Sequence, residues 1–239
     1  MATLINSTER IYYRDTYLDN FEAKIIAIGN DDDGEFVIFD RTIFHPQGGG
    51  QPDDQGYFKL KDKQFTIKKL LAPRNPEYDP YLIKHYYEKS DSFNMEKEIN
   101  QTVLQVINME TRILYARYHS AGHLLSNAVN KLYPELDGCN GNHFPKTAFV
   151  IFEGSPLPNL QGLKHKVNDF VNELIKNDLP IKTNWEVKPR TIQFGDFKSY
   201  PCGGTHIAKT SEIGVVVIRN VKKEKGRLRI ATPTKDDEK

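Results

Sequence analysis

Residues 103–134 read VLQVINMETRILYARYHSAGHLLSNAVNKLYP, and their character changes partway along. VLQVI is a short, strand-like run rich in β-branched residues. Asn108 follows as a residue type that caps helices, and the spacing beyond it predicts a helix from about Met109 to Tyr133, stopped by Pro134. After the proline comes LDGCNGN, 136–142, a cluster of turn-forming residues. Inside the helix His119 and His123 stand four positions apart, so both imidazoles leave the same face.

Toward the N-terminus, from Arg10 to about Tyr87, the chain reads as β-structure. Runs such as KIIAI (24–28), EFVIFD (35–40), YFKL (57–60) and FTIKKLL (65–71) alternate with the turn signals NDDDGE, HPQGGGQPDDQG and KDK. The polar stretch KSDSFNMEKEIN, 89–100, reads as a joint, with a boundary near residue 95. Toward the C-terminus the expectation is a strand in TAFVIFEG (147–154) and an amphipathic helix from about Leu160 to Asn177. Leu163, Val167, Phe170, Val171 and Leu174 recur there at helical spacing. A loop-borne PCGGTH (201–206), a strand GVVVIRNV (214–221), a turn KEKG and a second strand RLRIA (227–231) complete the pattern.

With 239 residues and 38% hydrophobic content, the chain can bury one large core or two modest ones. It opens without a signal-peptide pattern and nowhere approaches the roughly 18 consecutive apolar residues of a membrane span. The expected location is therefore the cytoplasm, with no membrane contact. Two cysteines, Cys139 and Cys202, are too few for a disulfide framework, and each sits near a histidine, which suggests metal chemistry. The net charge of +1 conceals RNVKKEKGRLR, 219–229, where six cations face only Glu224. By itself such a run is an ordinary solvated face.

His119 and His123 alone fit a metal pair and a plain helix-surface or packing pair equally well. HSAGH also lacks the glutamate of an H-E-x-x-H protease. Two C-x-x-x-H pairs offer further ligands, Cys139 with His143 and Cys202 with His206. The glycines of PCGGTH let thiolate and imidazole converge on one ion, a donor set that suits zinc, whereas CNGNH is looser. Spacing does not rank the two pairs decisively, and a second zinc at Cys139 and His143 stays open. One thiolate with three imidazoles makes either a structural or a catalytic site.

HSAGHLL (119–125), and PCGGTH followed by TSEIG, resemble the HxxxH and CGGTH segments of the editing domain of alanyl-tRNA synthetase and its free-standing relatives, the AlaX proteins. DRTIFHPQGGGQPDDQG (40–56) resembles the glycine-rich motif of that family, and KGRLRIA (225–231) its closing basic strand. The four motifs occur in family order across most of the chain, and its length and β-rich start are similar to the medium-sized AlaX class. Ser120 and Gly122 stand where threonines are more usual, and Gln47 where a glutamate is common. The resemblance favours Cys202 over Cys139 and implies a Zn2+ site of His119, His123, Cys202 and His206. It implies an α+β fold: a β-barrel-like N-terminal subdomain (1–94) with the glycine-rich motif, then a two-layer editing core (95–239) with an antiparallel sheet and a zinc-bearing helix.

The implied activity is zinc-dependent hydrolysis, in trans, of the ester in tRNA(Ala) mischarged with serine or glycine, with no obligate protein partner. A zinc-bound water is the expected catalytic group, and no side-chain base is assigned. Separating seryl from alanyl esters needs polar groups that only a hydroxyl satisfies. By resemblance, Gln51 and Thr42 are candidates for that reading, and Gly48, Gly49 and Gly50 for close backbone approach to the substrate. Lys222, Lys223, Lys225, Arg227 and Arg229 are candidates for phosphate contacts. Two rivals remain: threonyl-type aminoacyl-tRNA editing, and a non-catalytic RNA-binding module braced by structural zinc.

Overall fold

The computed structural model describes residues 7–72, 82–88 and 93–232. Of the polar joint at 89–100, residues 89–92 lie outside the described residues. The chain divides into two compact units, Met1–Gly48 with Asp53–Arg112, and Gly49–Pro52 with Ile113–Lys239.

The first unit contains β1 (Glu9–Arg10), β2 (Asn20–Asp31), β3 (Gly34–Phe39), β4 (Arg41–Thr42), β5 (Gly56–Leu60), β6 (Lys63–Leu71), β7 (Lys84–Tyr87) and β8 (Thr102–Ile107). Six of these strands form a closed antiparallel barrel in the order β2-β3-β7-β6-β5-β8. Strand β2 is long enough to serve both sides of the closure. Its first half pairs with β8 and its second with β3, and a register shift between Ile25 and Ala27 bends it there. In β6 a shift between Ile67 and Lys69 moves the buried alternation from Phe65 and Ile67 to Leu70, so the strand keeps facing the core past its bend. The barrel is filled largely by rings: Phe58 stacks on Phe65 at 5.0 Å and meets Phe39 edge-on at 5.4 Å.

Two buried polar groupings are satisfied inside this unit. Arg112, wholly buried, donates through Nε to Asp54 Oδ1 at 2.9 Å, through Nη2 to Asp54 Oδ2, and through Nη1 to the Thr16 carbonyl at 3.0 Å. Asp54 also closes the base of the glycine-rich loop, since its N–H donates to His45 O at 3.0 Å and its carboxylate accepts from His45 N–H. His85 is fully buried, with Nδ1 3.0 Å from Ile83 O and Nε2 2.9 Å from Thr42 Oγ1. Burial lowers its pKa from 6.5 to about 3. The ring is therefore neutral, Nδ1 carries the proton, and the Thr42 hydroxyl donates to Nε2.

The second unit contains α1 (Met109–Leu132), whose first turn groups with the barrel, then β9 (Asp137–Asn142), β10 (Phe149–Glu153), α2 (Leu163–Lys176), β11 (Ile181–Asn184), β12 (Thr191–Phe194), β13 (Tyr200–Pro201), β14 (Asn220–Glu224) and β15 (Arg227–Ala231). Asn108 caps α1 as expected, its side-chain oxygen accepting from Thr111 N–H at 3.2 Å. One antiparallel sheet runs β14-β15-β10-β9 and a smaller one β11-β12-β13. Leu124, Leu125 and Val129 of α1 and Val167 and Val171 of α2 share a core with Val150, Phe152, Leu228 and Ile230 of the larger sheet. The architecture is α+β, with a β-barrel before a layer of helices on antiparallel sheet.

Two local expectations change. LDGCNGN, read as turns, contributes an edge strand, exposed along most of its length and held by pairing to β10. Its turn-prone residues are overridden by ladder bonds. GVVVIRNV becomes a strand only from Asn220. Over 216–218 backbone bonds that a strand neighbour would take are made by two asparagines of α2, and Arg219 N–H is the first to reach β15, at Ala231 O. Asn172 pairs with both the N–H and the carbonyl of Val216 at 3.1 and 2.8 Å, and Asn168 accepts from Ile218 N–H at 3.1 Å. Val216 and Ile218 still point inward with strand-like alternation.

Replacing Asp54 with Ala strands the Arg112 charge in the interior and should cost about 3 to 5 kcal/mol, read as a lower urea midpoint. His85 protonates more easily unfolded than folded, so its contribution to stability is whole above about pH 6.5 and is lost as pH falls toward its folded pKa of about 3. Urea midpoints measured between pH 7 and 4 should fall less steeply in His85→Gln than in the wild type.

Candidate metal centre

Helix α1 presents His119 and His123 one turn apart with their rings stacked, 4.8 Å between centroids and 17° between planes. The other two donors come from the turn after β13. Arg190, just before β12, holds that turn: its guanidinium donates to the carbonyls of Cys202 and Gly204, each at 2.8 Å, and its own carbonyl accepts from Cys202 N–H at 3.0 Å. The ligand atoms of His119, His123, Cys202 and His206 consequently all lie within 4.8 Å of one another. Cys202 Sγ is 3.5, 3.4 and 3.2 Å from Nε2 of His119, His123 and His206. The group could hold a metal.

The proton on one of these rings follows from its outer partner. Gln51 is fully buried, and its side-chain oxygen sits 3.0 Å from Thr205 N–H, a pure donor, so that atom must be the amide oxygen. The same oxygen lies 2.6 Å from His119 Nδ1, which therefore carries the proton and leaves the Nε2 lone pair facing Cys202. The Gln51 amide nitrogen donates to Thr205 Oγ1 at 2.8 Å. Ser120 Oγ holds the His206 ring, 3.2 Å from its Nδ1, while accepting from Ile207 N–H at 3.3 Å. Outer partners of this kind set the orientation and tautomer of metal-binding imidazoles. Gly204 has to be glycine here: a Cβ on it would lie 2.0 Å from His119 Cε1 and 2.8 Å from the Gln51 oxygen.

Burial lowers the pKa of His123 to about 3, with His143 and Arg190 adding to the effect, so its imidazole is neutral and able to ligate. Burial pushes the Cys202 thiol up, opposed by the Gly204 N–H and the Arg190 charge. Without a cation the thiol keeps its proton; a metal would displace it, so binding releases a proton.

The remaining candidates are dispersed. Cys139 lies exposed on β9, its thiol 3.5 Å from Ile151 O, and belongs to no group of three or more metal donors among the described residues. His143 instead stacks on His119 at 4.6 Å and 15°, and burial brings its pKa to about 4. Gly49 and Gly50 take left-handed backbone, φ +57° and +76°, and the Gly50 carbonyl accepts from His143 N–H at 2.8 Å; Gly48 is the last residue before this apex. Thr42 is in the barrel unit, where its hydroxyl serves His85 and the N–H of Phe44. Arg112 pairs with Asp54 in the barrel unit, His45 is also buried there, and His165 is exposed on α2.

On the β14–β15 hairpin, Lys222 pairs with Glu224 at 3.1 Å, Arg227 with Glu153 at 3.5 Å, and Arg229 lies 3.9 Å over the Phe149 ring. Lys223 and Lys225 are exposed, with no ion pair among the described residues. Sequence reasoning missed Arg190, which carries no motif, and gave Ser120 no task.

Residues 190–231 match the family model described as the threonyl and alanyl tRNA synthetase second additional domain. The chain is 32% identical to the alanyl-tRNA editing protein AlaX-L of Pyrococcus horikoshii, over 93% of this chain and 57% of that one. It is 28% identical to AlaX-M of the same organism, over 88% of this chain and 90% of the relative. A further match, 29% identical, is the alanine–tRNA ligase of Archaeoglobus fulgidus, covering 90% of this chain and 24% of the ligase. The chain thus spans little more than half the length of AlaX-L but most of AlaX-M. Over most of its length the chain is similar to AlaX alanyl-tRNA editing proteins and to part of alanine–tRNA ligases, and residues 190–231 carry the domain that threonyl and alanyl tRNA synthetases share.

Proposed function

We propose that this chain is a zinc-dependent deacylase that acts in trans, hydrolysing the aminoacyl ester of tRNA(Ala) mischarged with serine or glycine. The observation that carries the reading is the spacing of the four donors. For zinc bonded to sulfur at about 2.3 Å and to nitrogen at about 2.0 Å, a tetrahedron has sulfur–nitrogen edges of about 3.5 Å. The three Cys202-to-imidazole distances, 3.2 to 3.5 Å, fit those edges. A thiolate with three neutral imidazoles is also the donor chemistry that zinc favours. Zinc bound there supplies a Lewis acid for an ester carbonyl and acidifies water. The names of the AlaX relatives support the alanine tRNA as the substrate class.

The protein's own part is positioning. Gln51 and Ser120 aim two ligands, and Arg190 fixes the turn that carries Cys202. The Gln51 amide is committed to His119 and Thr205 at both ends, which favours its role as an orienting residue over that of a hydroxyl reader. Among the described residues no carboxylate joins the four donors, and proton transfer is assigned to solvent and the vicinal hydroxyl of the terminal ribose. Lys223 and Lys225 are the hairpin cations best placed to meet phosphates. Lys222 and Arg227 are held only by exposed pairs that an RNA backbone can outcompete, and Arg229 adds its charge beside them.

If Gln51 orients His119, Gln51→Ala should weaken zinc binding by about 10- to 100-fold in a chelator competition. An unchanged zinc affinity with altered discrimination between seryl and alanyl esters would assign it to substrate instead. The activity is tested with purified chain and tRNA(Ala) charged with serine, glycine or alanine, and tRNA(Thr) charged with threonine. Serine should be released fastest, alanine should be spared, and Cys202→Ala should lose both zinc and activity. Intact Ser-tRNA(Ala) in the presence of tRNA binding would leave a non-catalytic RNA-binding module, and release of threonine alone would indicate threonyl-type editing.

A further inference from the structure

His143 belongs to no sequence motif that the metal site uses, yet it lies against that site. It is 6% exposed and stacks on His119 at 4.6 Å, with His123 at 5.9 Å. Three glycines from three segments make room for its ring. A Cβ on Gly122 of α1 would fall 2.3 Å from its Cε1 and 2.4 Å from Nδ1, one on Gly141 of β9 2.9 Å from Cε1, and one on Gly50 3.2 Å from Cδ2. Its main-chain N–H is tied to Gly50 O. The ring nitrogens themselves have no hydrogen-bond partner among the described residues, and neither is among the polar atoms sealed from solvent without one. Every other histidine of this cluster is committed, as a member of the four-donor group.

A buried polar side chain normally finds a partner within the protein, and one without a partner beside a reactive centre is available to a ligand. We propose that His143 is the residue that reads the side-chain hydroxyl of the seryl group, a role that rests on the deacylase reading above. The chemistry singles out a hydroxyl. No described residue fixes which ring nitrogen carries the proton, and a hydroxyl, being donor and acceptor at once, matches either arrangement. A glycyl or alanyl group leaves the imidazole unpaired, which is how one hydroxyl is turned into selectivity.

The test compares the wild type with His143→Phe, which fills the slot without nitrogens, and Gly141→Ala, which displaces the ring without removing it. Zinc content and thermal midpoint are measured alongside kcat/KM on Ser- and Gly-tRNA(Ala). Binding of amide-linked, non-hydrolysable 3′-seryl and 3′-glycyl adenosine is followed by calorimetry. Both variants should keep one zinc, lose about 10- to 100-fold in kcat/KM for the seryl substrate and bind the seryl analogue correspondingly less well. The glycyl substrate and analogue should change by less than about threefold, the size of a packing effect at a site left otherwise intact. His143→Gln, which restores a donor and an acceptor, should recover part of the preference. Loss of zinc, equal loss on both substrates, or an unchanged preference in a wild type that does deacylate overturns the role of His143 alone. A wild type that neither hydrolyses Ser-tRNA(Ala) nor binds the seryl analogue overturns the deacylase reading, and this one with it.

Discussion

The side-chain oxygen of Gln51 accepts from Thr205 N–H and His119 Nδ1 at once, and the second unit is arranged around that pair of bonds. The first bond identifies the oxygen, the second fixes the proton on His119, and together they leave a lone pair facing Cys202. They also explain two glycines. Gly50 takes the left-handed backbone that precedes Gln51, and Gly204 omits the Cβ that would strike both His119 and the Gln51 oxygen. The GGGQ and CGGTH segments, far apart in the chain, are two halves of one packing constraint. Arg190 completes it by holding the carbonyls on either side of the turn.

The barrel unit meets a different problem, the burial of charge. The adjacent aspartates of PDDQG take separate tasks. Asp53 accepts from Leu70 N–H at 2.9 Å, and burial raises its pKa. Asp54 neutralises Arg112 and closes the base of the glycine-rich loop through His45. A buried pair of this kind adds little net stability but is costly to break. It fixes the geometry of the segment that leads into the loop.

The basic tail shows how a sheet redistributes charge. Lys225 and Gly226, both with positive φ, form the two-residue turn that folds the cationic run back on itself. Pairing in register then sets Lys222 opposite Arg229, while Leu228 and Ile230 turn into the core. Glu153, distant in sequence, supplies a counter-charge that the local composition does not contain.

Much of this was legible from local pattern. The strand runs of the barrel, the capped helix with its one-face histidine pair, the glycine turn beside Cys202 and the second amphipathic helix are encoded by period, propensity and short spacing, all properties of neighbouring residues. What tertiary structure alone decided depends on residues brought together from far apart. Strand 102–107 reads as a strand, but only pairing with β2 and β5 makes it the closing member of a barrel. DGCNGN becomes a strand because β10 lies beside it, and 216–218 does not because asparagines of α2 take backbone bonds of Val216 and Ile218. Spacing offered His119 and His123 with two C-x-x-x-H pairs, and the resemblance favoured Cys202 with His206. The rival pairing of Cys139 with His143 was dissolved by the fold, since β9 leaves Cys139 exposed and the slot between Gly50, Gly122 and Gly141 receives His143. The commitments of Gln51, Ser120 and Arg190 likewise depend on hydrogen bonds across 12 to 154 positions of chain, which no local reading of the sequence can supply.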